Sequence, residues 1–252
     1  MKLKCRNIIA IMIVSVMAIS FSITAFADYL DNGAIYGNES VGWNLLAKHQ
    51  HRGSKVYKYK YDSNSTKSAY GNYITQGAAL WGSNISFTEK GLFESAQCTI
   101  ATTNDANLDY TAAVIYSGNM AYNTHFDSIT ISIHTVNFNS NPTNYTDSQL
   151  NERKKRTIAH EIGHTYGLAD LYEGINSLKI MYGYSSYQKG VTAEDLKGLS
   201  VVTHEHTSHR FGASYTIWSS SNHTSHCATC SGYRFYAHNM VNGLCVQCGY
   251  RQ

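Results

Sequence analysis

The stretch T-I-A-H-E-I-G-H-T-Y-G-L-A-D-L, Thr157 to Leu171, decides how the rest of the 252 residues are read. His160 and His164 are four apart, so on a helix their imidazoles leave adjacent turns on one face and can meet at a single ion. Glu161 stands beside the first histidine, where its carboxylate can reach a metal-activated water without itself being a ligand. Gly167 tolerates the positive φ that ends many helices, and Asp170 follows three residues later. Upstream, Thr146-Asp147-Ser148-Gln149 is a capping box, in which Thr146 and Gln149 satisfy each other's orphan backbone N–H. The predicted helix therefore opens at Thr146, runs to about Tyr166 and stops at Gly167. An exposed polar helix face produces H-E-x-x-H by chance, but Gly167 and Asp170 at fixed offsets make that origin far rarer.

On either side of this helix the patterning is mixed. Lys55 to Tyr61 alternates Tyr57, Tyr59 and Tyr61 with Lys58 and Lys60, the signature of a strand with one wet face. Tyr70, Ile74, Ala78 and Trp81 recur at helical spacing and predict a helix over 68–81. Short β-rich runs over 84–87, 98–102, 111–116 and 128–138 are separated by Asn-, Asp- and Gly-containing loops and predict one sheet of about five strands. A second capping-box pattern, Thr192 to Asp195, starts a helix carrying Leu196, Leu199 and Val202. Cys98 reads as a buried thiol, and His125 and His134 read as surface or core histidines.

H-E-I-G-H-T-Y-G-L-A-D, followed closely by K-I-M-Y, resembles the metzincin zinc peptidases. The variant with Asp at the third ligand position is similar to the snapalysin group, and the order of elements over roughly residues 55–203 is matrixin-like. The resemblance implies His160, His164 and Asp170 as zinc ligands, Glu161 as general base, and Met181 in a methionine turn beneath the metal. Two features depart from the pattern. Gly183, not tyrosine, stands two residues after Met181, with Tyr182 and Tyr184 on either side, and residues 28–54 hold no cysteine to latch onto zinc. Structural calcium, bound by some relatives, is not derivable from the residues. A competing ligand set takes Glu194 as a distant third ligand.

Zinc with three protein ligands keeps one position open for water, lowers the pKa of that water towards ~7 and polarises a carbonyl. Glu161 would take the water's proton and pass it to the leaving amine. A carboxylate in place of a third imidazole lowers the charge of the centre by one, leaving the water less acidic than in a three-histidine site.

The ends of the chain carry different information. Lys2, Lys4 and Arg6, an apolar run from Ile8 to Ile23, and Ala25-Phe26-Ala27 fit a signal peptide over 1–27 and predict a secreted, extracellular protein without a retained anchor. This segment holds three of the 20 Lys+Arg and none of the 17 Asp+Glu, leaving a balance of 17 against 17. A neutral remainder gives no electrostatic case for nucleic acid or an anionic membrane. Residues 28–54 read as an irregular leader or short propeptide. After residue 203 the cysteines and histidines crowd together: Cys227-Ala-Thr-Cys230 and Cys245-Val-Gln-Cys248 have the spacing of two zinc knuckles. His223, His226 or His238 can replace one cysteine, and export leaves two disulfides as an alternative to zinc.

These readings combine into an α+β protein: a metzincin-type domain over 55–203 with a mixed, roughly five-stranded sheet, two long helices and a C-terminal helix, and a Cys/His-rich zinc-ribbon-like module over 204–252. The expected activity is zinc-dependent endopeptidase, with an extended peptide or protein pairing along the edge strand over 111–116. One catalytic zinc and a second, structural zinc are expected, and the tail is open to surface or cell-wall docking or to autoinhibition. The rival class is a secreted binding protein whose tail carries the function beside an inactive peptidase-like domain. Glu161 argues against it, since a structural metal site needs no base.

Overall fold

A computed structural model of the chain describes residues 34–35, 37–46, 52–117, 128–184, 186–203, 211–227 and 233–251. Residues 1–27, read above as a signal peptide, together with His125 and Cys230, lie outside these residues. Short strands β1 (Ala34–Ile35), β2 (Gly37–Asn38) and β3 (Trp43–Asn44) lead into β4 (Val56–Tyr61) and helix α1 (Asn64–Ala79). Strands β5 (Ser86–Glu89), β6 (Cys98–Thr103), β7 (Ala112–Ser117) and β8 (Ser128–His134) follow. Helices α2 (Thr135–Asn139), α3 (Asp147–Tyr166) and α4 (Ala193–Val202) complete the first part. Strands β9 (Phe211–Ile217), β10 (Asn222–Cys227), β11 (Tyr233–Ala237), β12 (Met240–Val241) and β13 (Leu244–Cys245) form the tail.

The architecture is α+β. A five-stranded sheet has the order β5-β4-β6-β8-β7, with β7 antiparallel to β8 and the other neighbours parallel. In β4 the alternation read from the sequence is visible as buried Tyr57 and Tyr59 against exposed Lys60. Ile129, Ile131 and Ile133 of β8 and Ile100 of β6 are almost fully inaccessible, and Ile74, Ile158, Ile162 and Tyr166 from α1 and α3 join the same core. The two long helices approach closely where Gly77 faces Ile158 and Ala159, since a Cβ there would meet Ile158 Cγ2 at 2.7 Å.

Three expectations need correction. Helix α1 begins four residues before the predicted 68, because Ser63 caps it by accepting from Thr66 N at 3.1 Å and the polar first turn carries no apolar signal. The predicted strand over 128–138 ends at His134, whose Nδ1 accepts from Asn137 N at 3.1 Å and starts the short helix α2. Residues 37–46, expected within an irregular leader, are ordered elements whose Trp43 and Leu45 lie in the main core, 3% and 4% exposed. Trp43 and Leu168 pack on Gly198 of α4, where a Cβ would lie 2.9 Å from Leu168 Cδ2 and 3.0 Å from Trp43 Cβ. Cys98 is buried as expected, and burial pushes its thiol up to about 12, which removes it as a nucleophile.

After residue 203 the order β1-β11-β10-β9 gives an antiparallel four-stranded sheet in which the N-terminal β1 pairs with β11. β12 and β13 form a small separate hairpin. Among the described residues, no helix is long and apolar enough to cross a membrane.

Candidate metal centre and cleft

Helix α3 carries the capping box read from the sequence, with Thr146 Oγ1 accepting from Gln149 N and Gln149 Oε1 accepting from Thr146 N. It ends at Gly167, whose φ of 116° is the left-handed conformation a glycine adopts freely. His160, Glu161 and His164 on its last turns are 7%, 5% and 9% exposed. The turn at Gly167 returns the chain so that Asp170 Oδ1 lies 3.0 Å from His160 Nε2 and 3.5 Å from His164 Nε2, while the two Nε2 atoms are 3.0 Å apart.

This triangle can be tested against a metal. Donors about 2.0–2.2 Å from a tetrahedral zinc lie about 3.3–3.5 Å from one another, close to the three observed separations. Each ring is also committed to the correct tautomer. His160 Nδ1 donates to Ile180 O at 2.8 Å and His164 Nδ1 to Leu168 O at 2.7 Å, which leaves a lone pair on Nε2 of each ring in its neutral form. Two lone pairs and a carboxylate oxygen converging at about 3 Å repel one another unless a cation lies between them. A proton on His164 Nε2 is one such cation, which a bound metal would displace. Burial opposes the imidazolium of His164, but the Asp170 hydrogen bond and the charges of Glu161 and Asp170 outweigh it and push the pKa up to about 9. Burial likewise opposes ionisation of Asp170, yet hydrogen bonds from His160 and His164 hold it well below the usual carboxylate range.

The support beneath the triangle comes from residues that spacing alone does not reveal. Met181 lies against Gly163, where a Cβ would run into its sulfur and into the Trp81 ring, so the glycine between the two histidines is a packing requirement. Leu171 N donates to Met181 O at 2.9 Å and Gly183 N to Leu171 O at 2.8 Å, pinning the Asp170 segment to the methionine segment. Asp195 is fully buried and accepts from Thr192 N at 2.8 Å, Ile180 N at 3.3 Å and Met181 N at 3.4 Å. Its carboxylate thus fixes the peptide whose carbonyl orients His160. Tyr172 OH donates to Asp170 Oδ2 at 3.2 Å. Glu39 accepts from Tyr172 N at 2.7 Å and Glu173 N at 3.2 Å, so the N-terminal segment braces the loop that follows Asp170. Glu194 is not in the ligand group; its carboxylate lies 3.6 Å from Lys179 Nζ, outside the site.

A cleft of about 320 Å³ opens on His160, Glu161, His164 and Asp170, with Ala112, Val114 and Tyr116 of β7 along one wall. β7 is the last strand of the sheet, so its outer edge is unpaired within it. A second recess of about 240 Å³ shares His160 and Glu161 and is lined by Lys189, which is 2% exposed. Lys189 Nζ donates to Tyr182 O at 2.6 Å, and no ion pair to it is present among the described residues. Burial pushes its pKa down to about 8 despite the opposing pull of Glu161, Asp170 and Asp195. Its proximity to the site carried no signal in the sequence. His134 is structural, held between Asn137 N and Asp105 O.

In the tail, Cys245 and Cys248 lie near His223 and His238, and these four form a second group able to hold a metal. Of the other two predicted cysteines, Cys227 ends β10 and Cys230 falls outside the described residues.

The fold and its two donor groups define an α+β protein with the means to bind metal at two places. No family model matches the chain, and no curated protein matches it. Among solved structures, the GM1 bound form of the ECX AB5 holotoxin is 18% identical over 70% of this chain and 87% of its own, with a TM-score of 0.42. Myroilysin is 14% identical over 66% of this chain and 99% of its own, with a TM-score of 0.37. The functional reading rests on the geometry of the site.

Proposed function

We propose that the chain is a secreted zinc endopeptidase. The observation that carries this reading is the triangle of His160 Nε2, His164 Nε2 and Asp170 Oδ1, open to a cleft beside the carboxylate of Glu161. Three donors from the protein leave a fourth tetrahedral position free, and a base next to that position distinguishes a hydrolytic site from a structural one. When bound, zinc supplies a Lewis acid that polarises a peptide carbonyl and acidifies water.

The chain's own groups do the rest. Glu161 accepts a proton from the attacking water and returns it to the departing amine nitrogen, which leaves as a neutral amine. The outer edge of β7, the last strand of the described sheet, would offer backbone N–H and C=O groups to an extended peptide, which would add as a further strand and hold the scissile bond over the triangle. Lys189 puts a buried ammonium in the wall of the adjoining recess, favouring a substrate side chain that brings a carboxylate to it. Secretion follows from the signal-like segment 1–27.

Digestion of a peptide library with the mature chain tests the reading. Internal cleavage that is lost with chelation and restored by zinc is the expected result. An absence of cleavage by zinc-loaded protein across the library would overturn it.

A further inference from the structure

His223 lies on β10 with its side chain fully inaccessible, a rare placement for a polar ring with so few partners. Its Nδ1 is 3.3 Å from Nδ1 of His238 and 3.7 Å from Sγ of Cys245, and Cys248 Sγ is 3.4 Å from the same His238 nitrogen. All four donor atoms lie within 4.8 Å of one another. A tetrahedral zinc with two nitrogens and two thiolates sets edges of about 3.3 Å between nitrogens and about 3.6 Å between nitrogen and sulfur.

The surroundings are those of a metal knuckle. Nε2 of His238 donates to Ser219 O at 2.9 Å, so its Nδ1 presents a lone pair inwards. The ring of His238 stacks on Tyr250 at 4.6 Å and 11°, and that of His223 contacts both Tyr215 and Tyr236. Backbone N–H groups of Gln247 and Cys248 point at Cys245 Sγ, and that of Tyr250 points at Cys248 Sγ. Gly249, at φ 76°, makes this turn possible, and Gly249 N donates to Cys245 O at 2.9 Å. N–H groups aimed at sulfur favour thiolate over thiol.

A second observation is independent of the donors. Among the residues after 203 whose side chains are described, Cys245 is the one apolar side chain in the core set, while Val241, Leu244 and Val246 of the hairpin region are exposed. Over 240–251 the segment thus adds one buried side chain, Cys245, and no apolar core of its own. Small modules of this kind need a cross-link to stay folded.

We propose that His223, His238, Cys245 and Cys248 form a closed, four-coordinate structural zinc site that ties the C-terminal knuckle to the four-stranded sheet. The paired-knuckle spacing had pointed to Cys227, Cys230, Cys245 and Cys248. Two histidines instead complete the tetrahedron, and Cys227 and Cys230 are not needed by this ion. The site is independent of the peptidase reading and stands or falls on metal and thiol measurements alone.

The test is alkylation mapping by mass spectrometry on the full mature chain, loaded with zinc and then stripped by chelator. Cys245 and Cys248 should resist alkylation until the metal is removed, while the state of Cys227 and Cys230 should not change with chelation. Free alkylation of Cys245 and Cys248 in zinc-loaded protein would overturn the site; protection of Cys227 and Cys230 together with them would overturn the ligand set. Cobalt(II) substitution gives a second reading. Cys227→Ser/Cys230→Ser should keep the full thiolate-to-cobalt charge-transfer band and Cys245→Ser about half of it, whereas loss of the band in the first variant would reject the assignment.

Discussion

The two donor groups of this chain are built on opposite plans. His160, His164 and Asp170 offer three atoms, leave one side open to a cleft and have a carboxylate beside the opening. The two histidines stand on a 20-residue helix rooted in the main core, and Asp170 follows the glycine that ends it. The tail group offers four atoms, two of them sulfur, and draws on β10 and on a hairpin region over 240–251 in which Cys245 is the one buried side chain. In the first place the fold positions the donors, so that a bound metal would be available for chemistry; in the second, on the proposal above, a bound metal would hold the fold. Coordination number, donor softness and the supporting core all change together.

The largest effect separating the two should come from Glu161→Gln, which removes the base without removing a donor. Peptide hydrolysis should fall by about 10²–10⁴-fold with zinc content unchanged. Wild-type rates in that variant would place the base elsewhere. His164→Ala should go further for metal and no further for the tail: one zinc per chain is lost with the activity, and chelator-dependent protection of Cys245 and Cys248 persists. If both ions left together, the two centres would not be the separate devices described above.

Asp195→Asn is a milder probe of the same contrast. The carboxylate accepts from the backbone at Ile180, Met181 and Thr192, and an amide turns one acceptor into a donor facing those N–H groups. Ile180 O then orients His160 less firmly, so zinc affinity at the first centre should fall by about 10–100-fold. The tail ion should be unaffected, and competition with a chromogenic chelator would read both. An unchanged affinity would reduce Asp195 to a simple helix cap.

How much of this was legible in the sequence depends on the range of the forces involved. The capped helix, its glycine stop and the i, i+4 histidines are local features, and they appear where the sequence puts them because caps and ligand spacing act within one or two turns. Asp170 was readable for the same reason. Asp195 beneath Met181 and Glu39 bracing the loop were not, since their partners are fixed by tertiary packing, over 134 residues for Glu39 and Glu173. Residues 37–46 looked irregular because their strands are two residues long and carry no period, yet Trp43 is a core residue. In the tail the cysteine pairs dominated the reading. Which histidine meets them depends on the inward side of β10 and on the Asn242-Gly243 turn, where both residues have positive φ.

Lys189 gives the finest distinction, because a buried charge near the first centre has no counterpart among the tail's described residues. Its folded pKa is depressed to about 8 by burial, against about 10.4 in an unfolded chain. Between those values the unfolded state binds more protons, so stability rises with pH across that window, and below pH 8 the wild type carries the full cost of a buried ammonium. A zinc ion nearby adds positive charge and strengthens the shift in the same direction. Lys189→Met should therefore be the more stable protein at pH 7, by roughly 2–3 kcal/mol, with the difference closing as pH approaches 10. In exchange, kcat/KM for peptides with an acidic side chain directed at the recess should fall by about tenfold relative to their alanine counterparts, and zinc content should hold. The wild-type preference should itself fade above pH 8 as the ammonium loses its proton. If Lys189→Met kept the acidic preference undiminished, the recess would select its substrate by shape and not by this charge.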